Sequence, residues 1–477
     1  MPYKKTTLIS IGLGSLLVGL FLSKFTSPIS FSWILLAVVF LPFAVKRGIV
    51  RISVIVLVCL IIGWWRGGIL QQQNIKYDQF YDKKITLVGR ATEDSFYADK
   101  SQLEVTVENL IIDGQKMPGK VRLRGYGEAM IYRHDIVQAT GKLIPSLGSK
   151  QASISFADLD VIARAKSPVE DFRRNFIAGM ETALPEPAAS FGIGLLVGQR
   201  SLLPEDVALI LTLAGLTHIV AVSGYNLTII VNGVKRSLKK LSRFQILFAS
   251  ISLIYLFLLV TGFSPSIVRA AIVATLGILA WYFGRQIKPV LLILIAAALT
   301  GIINPYYVWG DIGWYLSFLA FFGVLVIAPL LTLRLFGLRT VPFIGSVAIE
   351  SFAAQIATFP IIALIFTRLS VVGFISNIII VPMVPFAMLF SLIAGLAGMY
   401  VPAISGWIAL PARILLNVML FLADWFASWP FANIKIGVST IGMITFYLII
   451  IIFIMGLKKK SVSVIIKQRY NKKANEV

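Results

Sequence analysis

Apolar and polar positions along the chain fall into two regimes. Long, almost uninterrupted apolar runs cover 7–22, 31–45 and 52–70, and nine more follow at 207–231, 246–260, 266–283, 290–303, 312–331, 344–366, 371–399, 404–425 and 436–455. Runs of this kind predict membrane-spanning helices. In 371–399, Pro382 and Pro385 can split one span into a re-entrant pair. Between the two blocks the period changes to two, with strands predicted at 85–90, 103–108, 120–124, 135–139 and 153–162 and turns at Asp113-Gly114 and Gly148-Ser149. Five short strands fit a small barrel such as the OB-fold, and a compact sandwich fits the same pattern. Helical spacing resumes at 169–184 beside Glu170, Asp171, Arg173 and Arg174, which predicts an amphipathic helix at the outer interface. The pattern therefore predicts a polytopic α-helical membrane protein with a small extracytoplasmic all-β, OB-like domain. Its parts are N-terminal helices (1–71), the β domain (72–166), an interfacial helix with a glycine-rich loop (167–206), a helical membrane domain (207–457) and a basic tail (458–477).

Composition supports this reading. Of 477 residues 57% are hydrophobic and 14% charged, with mean hydropathy +0.85, which excludes an ordinary soluble enzyme. The formal charge of +22 raises the question of nucleic acid. Most of the excess, however, lies in clusters that alternate between loops, such as Lys46/Arg47/Arg51, Lys235/Arg236/Lys239/Lys240/Arg243 and Lys458/Lys459/Lys460. That is the positive-inside pattern, and it predicts cytoplasmic N- and C-termini with the β domain outside. Lys4 and Lys5 precede an apolar run without a small-residue cleavage site, so the first segment reads as a retained helix rather than a signal peptide. The single cysteine, Cys59, excludes an intrachain disulfide.

Candidate chemistry concentrates at 217–226, where Thr217, His218, Ser223, Tyr225 and Asn226 stand with Gly224 inside an apolar stretch. Polar groups at membrane depth are costly unless they pair or face a cavity. A hydrolytic Ser223/His218 pair is one reading, although a continuous helix sets the two roughly 140° apart and Ala221 removes the first glycine of a nucleophile elbow. A helix broken at Gly224 is another. Arg269 lies one turn into a helix opened by Ser264 as N-cap and Pro265. A guanidinium there costs about 2.5–3.5 kcal/mol unless it snorkels, pairs or faces water. With Ser266 on the same face it can line a path for an anion. Asp311 is placed to cap the next helix but one, with Ser317 further along, and Gln199, Arg200, Gln355 and Asn377 complete the polar inventory. The stretch 114–121 mimics a phosphate-binding loop but lacks the final Ser or Thr. His134 and His218 are too far apart in sequence and domain for a histidine-rich zinc centre. No metal or cofactor is expected.

Several stretches, in order, resemble the ComEC competence family. They are Gly198-Gln199-Arg200, then Gly215-Leu216-Thr217-His218-Ile219-Val220-Ala221-Val222-Ser223-Gly224, then Pro265-Ser266-Ile267-Val268-Arg269-Ala270, then Leu316-Ser317-Phe318, Ala354-Gln355 to Pro360, and Asn377 to Pro382. The resemblance implies an inner-membrane channel that passes single-stranded DNA into the bacterial cytoplasm during natural transformation, a transporter rather than an enzyme. For such a channel the candidate DNA path runs along Arg200, His218, Ser223, Asn226, Ser266, Arg269, Ser317 and Gln355, and the candidates for DNA contacts in the β domain are Arg122, Arg124 and Tyr126, with Phe96, Tyr97 and Tyr132 nearby. Expected partners are an outer DNA receptor, a separate nuclease and a cytoplasmic helicase-like motor. Gln199 stands where the family has aspartate, Tyr225-Asn226 where its second core histidine falls, and Tyr315 where glutamine is usual. The metallo-β-lactamase-like domain of long members is expected to be missing. An intramembrane serine hydrolase and a transporter of another polyanionic envelope polymer are the alternatives.

Overall fold

A computed structural model describes residues 4–39, 48–98, 102–128, 130–146, 150–199, 202–220, 226, 227, 231, 233, 235, 237, 238, 240–286, 288–337 and 339–474. The N-terminal helices are α1 (Lys5–Leu22), α2 (Ser32–Val39) and α3 (Ile49–Ile75). Contacts climb together along α1 and α3, from Gly12 against Ile55 and Cys59 to Gly67 against Ser23, so the two run parallel. They approach to backbone distance because a Cβ on Gly19 would lie 2.1 Å from the Leu60 carbonyl, and one on Gly63 2.1 Å from that of Leu16. Small residues at such crossings let dispersion contacts between helices replace a hydrophobic force that lipid does not supply.

Six strands follow: β1 (Lys84–Ala91), β2 (Phe96–Ala98), β3 (Gln102–Ile112), β4 (Gln115–Tyr126), β5 (Ile136–Pro145) and β6 (Ala152–Ala163). The order β1-β5-β6-β4-β3 closes on itself through β1–β3 pairing, and β2 extends β3 as a short flap. The five long strands are those predicted from the alternation, and closure excludes the sandwich. All pairings are antiparallel except β4–β6. At Gly125, where the register of that parallel pair shifts, a Cβ would lie 1.9 Å from the Ala157 carbonyl, so only glycine lets the strands meet there. Leu87, Val105, Leu123, Val137, Leu143 and Ile154 fill the interior. The base is closed by the segment after α3: Tyr77 is fully buried and donates its hydroxyl to the Pro118 carbonyl at 2.6 Å, and Tyr81 donates to that of Gln151 at 3.2 Å.

The remaining helices are α4 (Pro168–Ala183), α5 (Ala188–Val197), α6 (Glu205–Leu213), α7 (Thr217–Val220), α8 (Arg243–Thr261), α9 (Pro265–Tyr282), α10 (Pro289–Ile303), α11 (Tyr306–Gly310) and α12 (Ile312–Phe322). A π turn at Gly323–Ile327 leads into α13 (Ala328–Phe336) and then α14 (Phe343–Ile365). After β7 (Arg368–Ser370) come α15 (Gly373–Ile380), α16 (Val384–Tyr400), α17 (Pro402–Ile408) and α18 (Leu410–Ala427). The chain closes with β8 (Asn433–Lys435), paired to β7, and α19 (Thr440–Ala474). Two compact units result: Met1–Asn175 with Gln199–Leu202 and Leu227–Tyr315, and Phe176–Gly198 with Leu203–Asn226 and Leu316–Val477.

Nine helices among the described residues are long and apolar enough to cross a membrane; of the other three expected spans, 31–45 lies partly outside the described residues, 290–303 is the shorter apolar helix α10, and 207–231 is broken. This is a multi-pass membrane protein with a barrel-like β domain. Two expectations are corrected, for 207–231 and for α4, and one alternative is resolved. The run 207–231 is not one span, because α6 ends at Leu213 and Gly215, at φ +73°, turns the chain before α7. The run 371–399 forms the single span Gly373–Tyr400, in which Pro382 tightens one turn to a 3-10 helix without the alternative re-entrant split. The polar side of α4 does not simply face water, since Glu170 and Arg173 are buried in ion pairs.

Candidate functional site

The first unit holds Ser266, Arg269 and Asp311 of the helices and Arg122, Arg124 and Tyr126 of the barrel. The chain leaves α8 through Gly262, at φ +87°, and re-enters the helical state at Pro265. Ser264 occupies the cap position in extended conformation, but its side chain makes no capping bond, so proline rather than the serine starts α9. One turn later Arg269 is buried, not snorkelled to an interface. Its Nη2 donates to the Gly313 carbonyl at 3.1 Å, while Nε and Nη1 have no hydrogen-bond partner. Asp311 lies within electrostatic reach, as does Tyr307. Asp311 Oδ1 accepts from the Trp314 N–H at 2.7 Å and thus caps α12 as expected. Ser266 is half-buried.

The expected β-domain contacts have a partner of their own. Arg122 Nε lies 3.2 Å from Glu104 Oε1, and Arg124 Nε donates to Glu104 Oε2 at 2.5 Å. Two guanidinium groups on adjacent positions of one strand face therefore share one carboxylate and keep a net positive charge. Tyr126 is exposed at the end of β4. Sequence reading missed Lys150, whose ammonium is held below the usual lysine range by burial and then by Arg122, against the pull of Glu93, Glu104 and Asp311. Lys150 thus feels Arg122 on the barrel and Asp311 ahead of α12, and Asp311 in turn acts on Arg269.

A buried network, also missed, fixes the barrel loops. Arg133 Nε donates to Glu170 Oε1 at 2.7 Å and its Nη2 to the Leu259 carbonyl at 2.7 Å, near the C-terminus of α8. Arg173 pairs with Asp94, lies 3.5 Å from Glu170 Oε2, and donates to Gln199 Oε1 at 3.5 Å. Asp94 also accepts from the Arg133 N–H at 2.8 Å. Glu170 and Arg173 at i, i+3 were the available signal, because such a pair on an amphipathic face reads equally as surface decoration.

In the second unit the broken helix shows its cause. Ser376 Oγ donates to the Ala214 carbonyl at 2.7 Å and Ser370 Oγ to that of Leu213 at 2.7 Å, which satisfies carbonyls that α6 leaves open. Gly215 and Gly373 meet at backbone distance, a Cβ on Gly215 falling 2.8 Å from Gly373 Cα. His218 is exposed, and its imidazole N–H donates to the Gly215 carbonyl. Asn226 is buried and donates from Nδ2 to the Leu195 carbonyl at 3.2 Å. Asn377 Oδ1 and Ser391 Oγ are buried without a hydrogen-bond partner. Ser317 and Gln355 are half-buried. Arg200, Ser223 and Gly224 lie outside the described residues, and so does the expected break at Gly224; the break that is described falls at Gly215.

Comparison with known proteins acts on this geometry. The family described as "Competence protein" matches residues 195–461, more than half of the chain, including the Gly215 turn, Arg269 and Asn377. The chain belongs to the competence protein family. Among its relatives is ComE operon protein 3 of Bacillus subtilis (strain 168), 22% identical over 308 residues, which are 62% of this chain and 38% of the relative. The chain thus spans well under half of that protein's length. No solved structure matches. The β domain lies outside the stretch that the family match covers, so its role rests on its own geometry.

Proposed function

We propose that this competence-family protein is a channel that conducts single-stranded DNA across the bacterial cytoplasmic membrane, with the β domain outside and both termini in the cytoplasm. The single observation that carries the reading is Arg269, a buried guanidinium with two N–H-bearing nitrogens unpartnered and no carboxylate within ion-pair distance among the described residues. Such a group has donor capacity for a phosphate passing along α9. The barrel supports it. If β2 is set aside as a flap, five strands in closed order with a single parallel pair, β4–β6, are the topology we read as an OB-fold, a fold that binds oligonucleotides on a strand face. Arg122, Arg124, Lys150 and Tyr126 would meet the strand there, and His218, Asn226, Ser266, Ser317 and Gln355, with Arg200 and Ser223, would line the path. The chain's charge fits a polyanion, and a channel of this kind makes and breaks no covalent bond. Force, strand degradation and capture of duplex DNA then fall to a helicase-like motor, a nuclease and an outer receptor.

The test is uptake of labelled DNA by a competent host carrying Arg269→Leu as its only copy. Uptake should fall at least about tenfold with the protein still in the membrane at its normal level. Normal uptake in that strain would end the reading.

A further inference from the structure

One ionisable group in the second unit belongs to no part of the proposed DNA path. Glu350 lies seven residues into α14, roughly 10 Å along its axis, on a helix otherwise free of Asp, Glu, Lys and Arg. A carboxyl at that depth is costly, and its retention points to function. It lines an open groove of about 360 Å³ with Val324, Pro329, Thr332 and Ser346.

The groove is also lined by Val324, which belongs to an irregular turn. In the π turn Gly323–Ile327 the Ala328 N–H bonds to the Gly323 carbonyl, five residues back. The next carbonyl in that register is that of Val324, and its donor would be residue 329, which is proline and has no N–H. The turn is pressed against α14, since a Cβ on Gly323 would lie 2.4 Å from the Ala353 carbonyl. Irregular backbone at membrane depth is tolerated where it lines a cavity, and π turns recur at functional positions. The charged groups on the elements packed here include Arg334 near the end of α13 and Lys458 and Lys459 on α19, whose sequence continues with further basic residues; among the described residues none is ion-paired to Glu350.

We propose that Glu350, with the Thr332 and Ser346 hydroxyls and the Val324 carbonyl, forms an intramembrane site for a small monovalent cation, a proton or a sodium ion. The donors are all oxygen and carry one negative charge, which a single positive charge neutralises, and carboxylates with freed backbone carbonyls hold Na⁺ or H⁺ at broken helices of transporters. The site stands independently of the DNA reading.

Dicyclohexylcarbodiimide, which modifies protonated carboxyls in apolar surroundings, tests it on the purified full-length protein. Glu350 should be modified, and the yield should fall as pH rises, because only the neutral acid reacts. Protection by NaCl, relative to choline chloride at equal ionic strength, assigns sodium; equal yields in the two salts, with the pH dependence kept, assign the proton. Thr332→Val and Ser346→Ala should weaken sodium protection about tenfold or, for a proton site, shift the pH midpoint. Glu350→Gln should lose the mark, although the wild-type measurement does not depend on that variant folding. An unmodified Glu350 at acid pH, or modification indifferent to both pH and sodium, overturns the proposal whatever DNA uptake does.

Discussion

Three arginines of the first unit are buried to nearly the same degree, Arg133 and Arg173 at 5% exposure and Arg269 at 3%, yet they stand in opposite electrostatic settings. The two at the collar between barrel and helices share Glu170, and Arg173 adds Asp94, so charge is neutralised where it is desolvated. Arg269, in a membrane helix, has one carbonyl and spare donors. Burial alone therefore does not separate a structural arginine from one waiting for a ligand; the partner list does.

The contrast is easiest to break at Glu170. Glu170→Ala leaves the buried Arg133 guanidinium without a carboxylate and Arg173 with Asp94 alone, and should cost about 3–5 kcal/mol, as removal of one member of a buried pair does. It should appear as a large drop in the thermal transition of the detergent-purified protein. Arg269→Leu, by contrast, replaces an unpaired charge with an apolar side chain and should leave that transition unchanged or higher while uptake falls. If the two variants lost stability equally, Arg269 would be a structural group like the others.

A smaller effect is expected at Glu104. Glu104→Gln releases Arg122 and Arg124, so the full-length protein should bind a fluorescent oligothymidine roughly three- to tenfold tighter at low salt, with the gain fading as salt rises. Unchanged binding would assign that trio to holding β3 and β4 together.

The smallest effect concerns His134, whose Nε2 lies 3.9 Å from Glu170. Burial, then Arg90 and Arg133, hold its ring below the usual histidine value of 6.5, against Glu170 and Glu108. The folded protein thus favours the neutral ring. Its contribution is complete above the unfolded value and is lost as pH falls, so thermal stability should decline below about pH 6.5. His134→Asn should flatten that part of the profile; an identical decline in the variant would place the acid sensitivity in the carboxylates instead.

Legibility from sequence followed the range of the interactions. Alternation between apolar and polar residues named all five barrel strands, because a strand that buries one face must repeat with period two. Asp311 was readable as a cap because its bond to Trp314 is three residues long. Gly215 was not recognised as the break in 207–231, since what stabilises that break are Ser370 and Ser376, about 160 positions away. Lys150 and the Arg133–Glu170–Arg173–Asp94 network were invisible for the same reason.

By itself, the sequence determined that this is a multi-pass membrane protein with a β insertion, and that His218, Arg269 and Asn377 belong among the polar residues to examine, because apolarity and periodicity are local quantities. Only the tertiary structure decided that the barrel closes, that Arg122 and Arg124 share Glu104, and that Arg269 has no carboxylate at ion-pair distance among the described residues where Arg173 has two. Partners are a property of folded space: an arginine's cost at depth is written in its side chain, but what offsets that cost is set by whatever residue the fold brings beside it.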